Sequence, residues 1–463
     1  MSDTPANSYL AGPLGPIYAR TALPIIFVMG MNGLLAVADA LFLGHFVGPE
    51  ALAAVTLMFP LYMLVVALST LVSSGMSSIL ARRLGAGATG EAQAIYAGAH
   101  GLALVVGVIL IALFMTLGRP VALLAAGGSQ ELADLGLIYL GITIAFSPLL
   151  FMLAVNSDAL RNEGRVGFMA AMSLLVSLAN IGFNYVLIAI LDMGVAGSAY
   201  GTALAQALAM AIILGFRLKG RTDLRPSALW QHKLTTGWTR ILALGAPQSL
   251  NFIGLALGSA AILIALQWIQ TADYAATVSA YGIITRVMTF AFLPMLGLSH
   301  AMQTITGSNF GAGDRTRTRT SLKIALVAAF SYGATIQILF SVFATQIGAA
   351  FVADPLVIAE VGRILPVITA MFFLAGPLMM TATYFQAIGD AGRAALLGLS
   401  KPYAFGIPLT FALAAWIGEW GIWMAGPAAE VLLLGLTFIV LVQLSRANRL
   451  PPSPAPMIEG GRP

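Results

Sequence analysis

Cysteine is absent from all 463 residues, which excludes disulfides, thiolate catalysis and cysteine-ligated metals. Charge is nearly as scarce. Asp, Glu, Lys and Arg make up 9% of the chain, against roughly 25% in soluble domains, too few to cover a water-facing surface. The four histidines (His45, His100, His232, His300) are scattered and no HExxH occurs, so no metal centre is expected. Neither a GxxxxGK[ST] phosphate loop nor an arrangement of nucleophile and base is present. Together these absences argue against an enzyme, and no cofactor is expected. The first twenty residues lack a basic n-region and a cleavage motif, so no signal peptide is expected either.

What fills the chain is apolar: 59% of residues are hydrophobic and the mean hydropathy is +0.91. A membrane span needs about 20 mostly apolar residues, and such runs recur almost from end to end. We place spans at 22–46, 51–81, 93–118, 136–160, 167–191 and 195–216, then at 240–268, 277–308, 320–348, 358–388, 394–416 and 420–445. The longest of these imply tilted or bent helices. Twenty of the 23 basic residues fall on one side of the resulting topology, among them Arg82, Arg83, Arg161, Arg165, Arg217, Arg221, Arg240, Arg317, Lys401, Arg449 and Arg462. The positive-inside bias then puts both termini in the cytoplasm of a multi-pass cell (inner) membrane protein. The same bias accounts for the net charge of +5 without nucleic-acid binding.

The longest polar stretch, 217–239, separates six spans from six, and landmarks recur across it. Leu23-Pro24 is echoed by Ala246-Pro247 and Gly85-Ala86-Gly87 by Gly311-Ala312-Gly313. Likewise Pro148 is echoed by Pro377, Gly164 by Gly392, and Gly194-Val195-Ala196-Gly197 by the stretch from Gly421 to Gly426. The offsets run from about 223 to 229, as short insertions between repeats would give. The expected fold is an all-α integral membrane protein of twelve transmembrane helices in two pseudo-symmetric six-helix lobes. Its parts would be an N-terminal lobe (1–216), a basic linker (217–239), a C-terminal lobe (240–446) and a tail (447–463). Halves of six spans run the same way through the bilayer, so an axis along the membrane normal relates them, with a ligand site between.

Ionisable groups within spans are costly and point to function. Asp39 lies well inside span one with no basic residue near it in sequence. Low dielectric disfavours the charge of an unpaired carboxylate, which suits Asp39 to proton exchange. Asn180 and Asn184 stand one turn apart on span five, and Thr202 and Gln206 likewise on span six; such groups ligate a small cation or hold a carboxylate, or simply join helices. Asn156, Asp158, Arg161 and Glu163 cluster at the end of span four, where the charges read as a solvated cap or inter-loop ion pair. Arg286 and Glu430 are the main ionisable groups within spans of the second half. Asn156, Gln206, Arg286 and Glu430 are therefore the candidate cavity residues. Gly85-x-Gly87-x-x-Gly90 matches a dinucleotide fingerprint in letters alone; a span precedes it, so it reads as a tight turn.

Several stretches resemble one family. Pro24 with the run from Val37 through Asp39 to Gly44, followed by Gly48-Pro49-Glu50-Ala51-Leu52-Ala53-Ala54-Val55, is similar to the opening of the multidrug and toxic compound extrusion (MATE) family. Leu160 to Arg165, Gly194 to Ala199, Tyr281 to Arg286 and Gly307 to Asp314 resemble further MATE patterns in both halves. The resemblance implies export of cationic amphipathic compounds in exchange for protons or sodium ions. It makes Asp39 the coupling carboxylate and Asn180 and Thr202 its polar partners, and matches Asn156 to a span-four asparagine. The chain departs from one branch at Asn184, where that branch has aspartate. It departs from another in lacking interior acids in spans seven and ten, which show Asn251, Gln267 and Gln386.

The expected protein is a monomeric secondary antiporter working by alternating access, with no resident metal, although Na+ at Asp39 is an alternative to H+. The expected partners are small cationic amphiphiles, the coupling ion and the bilayer. The alternative reading is a flippase for a lipid-linked saccharide or related amphiphile.

Overall fold

The computed structural model describes residues 7–220, 222–271 and 273–447. The predicted tail beyond Ala447, with Arg449 and Arg462, lies outside the described residues, as does Arg221.

Helices follow one another with short turns, and no strand occurs among the described residues. We number the membrane-crossing helices in chain order. The first half comprises α1 (Leu14–Phe42), α2 (Pro49–Gly85), α3 (Thr89–Ala125), α4 in two pieces (Gln130–Ala145 and Ser147–Asn162), α5 (Val166–Asn184) and α6 (Gly194–Leu218). The second comprises α7 (Trp238–Trp268), α8 (Tyr274–Gly311), α9 (Arg315–Val342, with a short continuation Ala344–Phe351), α10 in two pieces (Pro355–Ile368 and Phe372–Ile388), α11 (Ala391–Leu399 and Ile407–Ile417) and α12 (Glu419–Ala447). Among the described residues, ten helices are long and apolar enough to cross a membrane unbroken; α4 and α10 are bent by 49° and 47° and complete the twelve. Every predicted span therefore meets a helix.

The internal repeat is visible in the irregularities. The breaks of α4 and α10 occupy corresponding places, each followed by the matched prolines Pro148 and Pro377. The turns after α2 and α8 both use a glycine in the left-handed region, Gly87 at φ 70° and Gly313 at φ 80°, where a Cβ would be strained. That turn is what the Gly85-to-Gly90 pattern encodes; a helix precedes it and no strand.

Among the described residues, three π-helical segments interrupt the α-helices. Leu43–Val47 continues α1, Tyr185–Ile190 continues α5, and Ser400–Gly406 divides α11. Such segments are rare and tend to mark functional positions.

Large apolar side chains such as Leu113, Met115, Phe330, Ile338 and Phe438 stand exposed on the outside of the bundle, as a lipid-facing surface requires. The interior is made of small residues. From Val72 to Ala81 every residue of α2 is buried, and so is every residue of α8 from Ala301 to Asn309. Their Ser, Gly, Ala and Thr side chains let helix backbones meet closely, the usual basis of packing in lipid. A Cβ on Gly75 would lie 2.0 Å from the Ile241 carbonyl oxygen of α7, and one on Gly245 would lie 1.9 Å from that of Leu71. Gly85 and Gly311 approach Ser308 and Arg82 of the opposite half in the same way.

These contacts lie at the end of the bundle that carries Arg82, Arg161, Arg240 and Arg317, hereafter the basic end. Polar locks reinforce the seal. Arg161 at the end of α4 donates to Ser77 of α2 at 2.8 Å and to Thr304 of α8 at 3.2 Å. Gln386 at the end of α10 donates to Ser74 of α2 at 2.9 Å and to the Leu244 carbonyl of α7 at 2.7 Å. Arg161 of the first half and Gln386 of the second thus each cross the junction from the end of a bent helix. The N-terminal segment wedges in as well: Tyr9 donates to the Arg161 carbonyl, and its own carbonyl accepts from Asn309. Arg161 is thus 2% exposed and bridges the halves, which corrects its reading as a solvated cap.

Candidate ion site and cavity

Asp39 sits on α1 just before the π-helical segment Leu43–Val47, and Asn184 is the last α-helical residue of α5 before the segment Tyr185–Ile190. Asn184 Nδ2 donates to Asp39 Oδ1 at 2.6 Å. The Asn180 amide is oriented by its neighbours. With its nitrogen toward the carboxylate it donates to Asp39 Oδ1 at 2.9 Å, and its oxygen accepts from the Thr202 hydroxyl at 2.8 Å. Asn180 and Asn184 are fully buried, while Asp39 and Thr202 are half-buried. Asp39 has no ion-pair partner among the described residues. Asn180 and Asn184 of α5 thus contact the Asp39 carboxylate of α1, and Thr202 of α6 holds Asn180 from behind.

Two features were not foreseen. Tyr62 of α2 and Tyr139 of α4 lie within electrostatic reach of Asp39. Gly201 of α6 makes room for the Asn184 amide, since a Cβ there would stand 2.0 Å from Asn184 Oδ1.

A cavity of about 490 Å³ opens within the second half, walled by α7, α8, α10, α11 and α12. Its lining is largely apolar and aromatic (Tyr281, Met288, Phe292, Met379), with Gln248, Asn251 and Gln386 as neutral polar groups. Its charged pair is Lys401 with Glu430. Lys401 stands on the π-helical segment Ser400–Gly406 and its ammonium donates to Glu430 Oε1 of α12. Lys401, counted above with the basic side of the topology, thus stands inside α11.

Of the four candidate cavity residues, only Glu430 lines this cavity. Asn156 is fully buried in the first half, accepting from Tyr96 at 2.6 Å and from Arg217 at 3.0 Å and bonding to His100 at 3.0 Å. It builds a polar core there. Arg217 pairs in turn with Glu163 at 2.9 Å, and Glu163 accepts from the Leu224 N–H of the linker at 2.8 Å. This is the inter-loop ion pair expected for the Asn156-to-Glu163 cluster. Burial pushes the Glu163 carboxyl above the usual range, with Arg217 opposing the shift. Gln206 is half-buried outside the cavity lining, and Arg286 is exposed on α8. Both departures have one cause: spacing puts a residue on a helix face, but helix rotation decides what that face meets. Arg363 joins Glu360 and Glu419 at the opposite end of the bundle.

Twelve membrane-crossing helices in two repeated lobes, with a carboxylate held among amides in one and a cavity in the other, define a membrane transporter. The MatE family model matches residues 24–186 and 249–412, once in each half, and the chain belongs to that family. Among curated relatives, it is 25% identical to the FAD transporter of Shewanella oneidensis over 94% of this chain and 96% of that one. It is 24% identical to the multidrug export protein MepA of Staphylococcus haemolyticus over 95% of each. Among solved structures, it superposes on an outward-facing MATE family multidrug resistance transporter with a TM-score of 0.88 at 22% identity, covering 97% of this chain and 100% of that one. A MOP superfamily transporter from Pyrococcus furiosus superposes with a TM-score of 0.87 at 22% identity over the same shares. Identity this low speaks for the fold alone.

Proposed function

We propose that the protein exports amphipathic organic cations across a cell membrane in exchange for protons, with sodium as the alternative coupling ion. Asp39 is the coupling group. The observation that carries this reading is its setting: a lone carboxylate in a membrane helix, without a cation, gripped by Asn184 and Asn180 and through Asn180 by Thr202. Hydrogen bonds to charged groups are worth about 1.5–3 kcal/mol each, so the ionised form of Asp39 holds α1 and α5 together. Protonation removes the charge and one acceptor, and loosens α1 from α5 beside two π-helical segments. An ion that alters this grip biases one conformation over another, which alternating access requires. α1 carries the change onward, because it packs along α8 (Gly33 against Phe290, Ile26 against Gly297), and α8 walls the cavity. The export of drugs by relatives such as MepA supports the cargo class.

In this reading the basic end faces the cytoplasm, by the positive-inside bias, with both termini on that side. The functional units are lobes 1–216 and 240–446, a linker at 217–239 and a tail at 447–463, and the working form is a monomer. A flippase for a lipid-linked saccharide would need a cationic cavity. Lys401, the only basic residue in the lining, is neutralised by Glu430.

The test uses purified protein in liposomes, following efflux of an ethidium-like cation under a pH gradient and then a sodium gradient. Export driven by pH and lost in Asp39→Asn is expected. Sodium as the only driver would move the coupling ion but keep the site; unimpaired coupled export by Asp39→Asn would overturn it.

A further inference from the structure

A second pocket, of about 530 Å³, opens at the basic end where the two halves meet. Arg82 and Arg83 reach it from α2 of the first half and Arg240 from α7 of the second, beside apolar Ile79, Leu244 and Phe310. Arg83 and Arg240 lie within electrostatic range of Arg82, so like charges from the two halves face each other across the junction, Arg82 and Arg240 without a counter-charge among the described residues. Nothing acidic lines the pocket. Of the nearby carboxylates, Glu91 pairs with Arg83 from outside the lining at 2.8 Å, and Asp390 is engaged by Arg393 at 2.5 Å. Arg82 spends one nitrogen on Ser78 and the Gln386 and Ala387 carbonyls, which neutralise no charge. Arg240 has no ion-pair partner among the described residues.

We infer that this pocket binds a phosphate-class anion, which bridges Arg82 and Arg83 of one half to Arg240 of the other and clamps the basic end shut. Guanidinium groups pair with phosphate oxygens in a bidentate way, and basic pockets between membrane helices suit anionic headgroups. A headgroup with its chain along Ile79, Leu244 and Phe310 and a free inorganic phosphate share this chemistry.

The test follows the unfolding midpoint of the whole chain in neutral detergent. One arm titrates inorganic pyrophosphate, the other dioctanoyl phosphatidylglycerol, with dioctanoyl phosphatidylcholine as the uncharged-net control. A ligand bound only by the folded protein raises the midpoint by mass action. The wild type is expected to show a saturable rise of about 2–4 °C with at least one anion and none with phosphatidylcholine. The arm that responds identifies a soluble or a lipid source. Arg240→Gln and Arg83→Gln, on opposite halves, should each weaken the response tenfold or more. Arg240→Lys should restore part of it, and Arg315→Gln, elsewhere on the basic end, should leave it intact. No saturable rise, or an equal loss in Arg315→Gln, would overturn the proposal. Neither readout depends on transport, so failure here and failure of the Asp39 reading are separate results.

Discussion

At the scale of single residues, the proposed ion site is a contest over one carboxylate. Asn184→Ala removes a charge-assisted donor worth about 1.5–3 kcal/mol, so the ion concentration for half-maximal export should shift tenfold or more, measured in liposomes. Gly201→Ala tests the same bond from the other side. The added Cβ would stand 2.0 Å from Asn184 Oδ1, must displace the amide, and should match Asn184→Ala in direction. A wild-type ion dependence in Gly201→Ala would show that Asn184 is not held in this way. The four residues of the proposed site were legible in the sequence because each is a polar group in an apolar run, with one-turn spacing of Asn180 and Asn184 setting a common face. Gly201 carried no such signal, since a glycine's use here depends on what lies across from it. Lys401 was counted only as a charge of the basic side for a related reason: its partner Glu430 is 29 residues away, and the pairing shows only once the helices are packed.

At the scale of elements, the π-helical segments fall beside the chemistry: one after Asp39, one after Asn184 and one carrying Lys401. A segment with i→i+5 bonding has register to give up, which suits a joint that responds to a change in grip. Hydrogen exchange by mass spectrometry should show faster exchange in 43–47, 185–190 and 400–406 than in the flanking turns of the same helices. The breaks of α4 and α10 and the turns at Gly87 and Gly313 repeat between the halves, and their Pro and Gly signatures were readable beforehand. The linker is tied down by Glu163, which joins Arg217 and the Leu224 N–H. Glu163→Gln leaves Arg217 buried without its counter-charge, at a cost of about 3–5 kcal/mol. A marked fall in thermal unfolding midpoint is expected, with the response to the coupling ion preserved in whatever protein folds.

At the scale of the whole molecule, the structure is closed at the basic end by backbone contact between α2 of one half and α7 and α8 of the other. Such contact tolerates no side chain. Gly75→Val would drive atoms into the Ile241 carbonyl and should shift the population toward conformations open at the basic end. The natural absence of cysteine makes this measurable without background. A single Ser74→Cys, buried between the halves, should react slowly with a thiol reagent in the parent and at least several-fold faster with Gly75→Val added. Equal rates would mean that the seal does not depend on this contact.

The sequence by itself determined that the chain lives in a bilayer, how many times it crosses, that it repeats, and that Asp39 stands as a carboxylate inside a span. Each of these follows from local quantities: hydropathy over about 20 residues, loop charge, the order of Pro and Gly landmarks, and the cost of a charge in hydrocarbon. The tertiary structure alone decided that Arg161 and Gln386 lock the halves and that the apolar cavity lies in the second half. It alone decided, too, that Asn156 serves a buried polar core, and that three arginines meet at the junction. Those outcomes depend on which helix faces turn toward one another. In an apolar chain, hydropathy marks nearly every face alike, so the rotation of each helix is set by its packing partners.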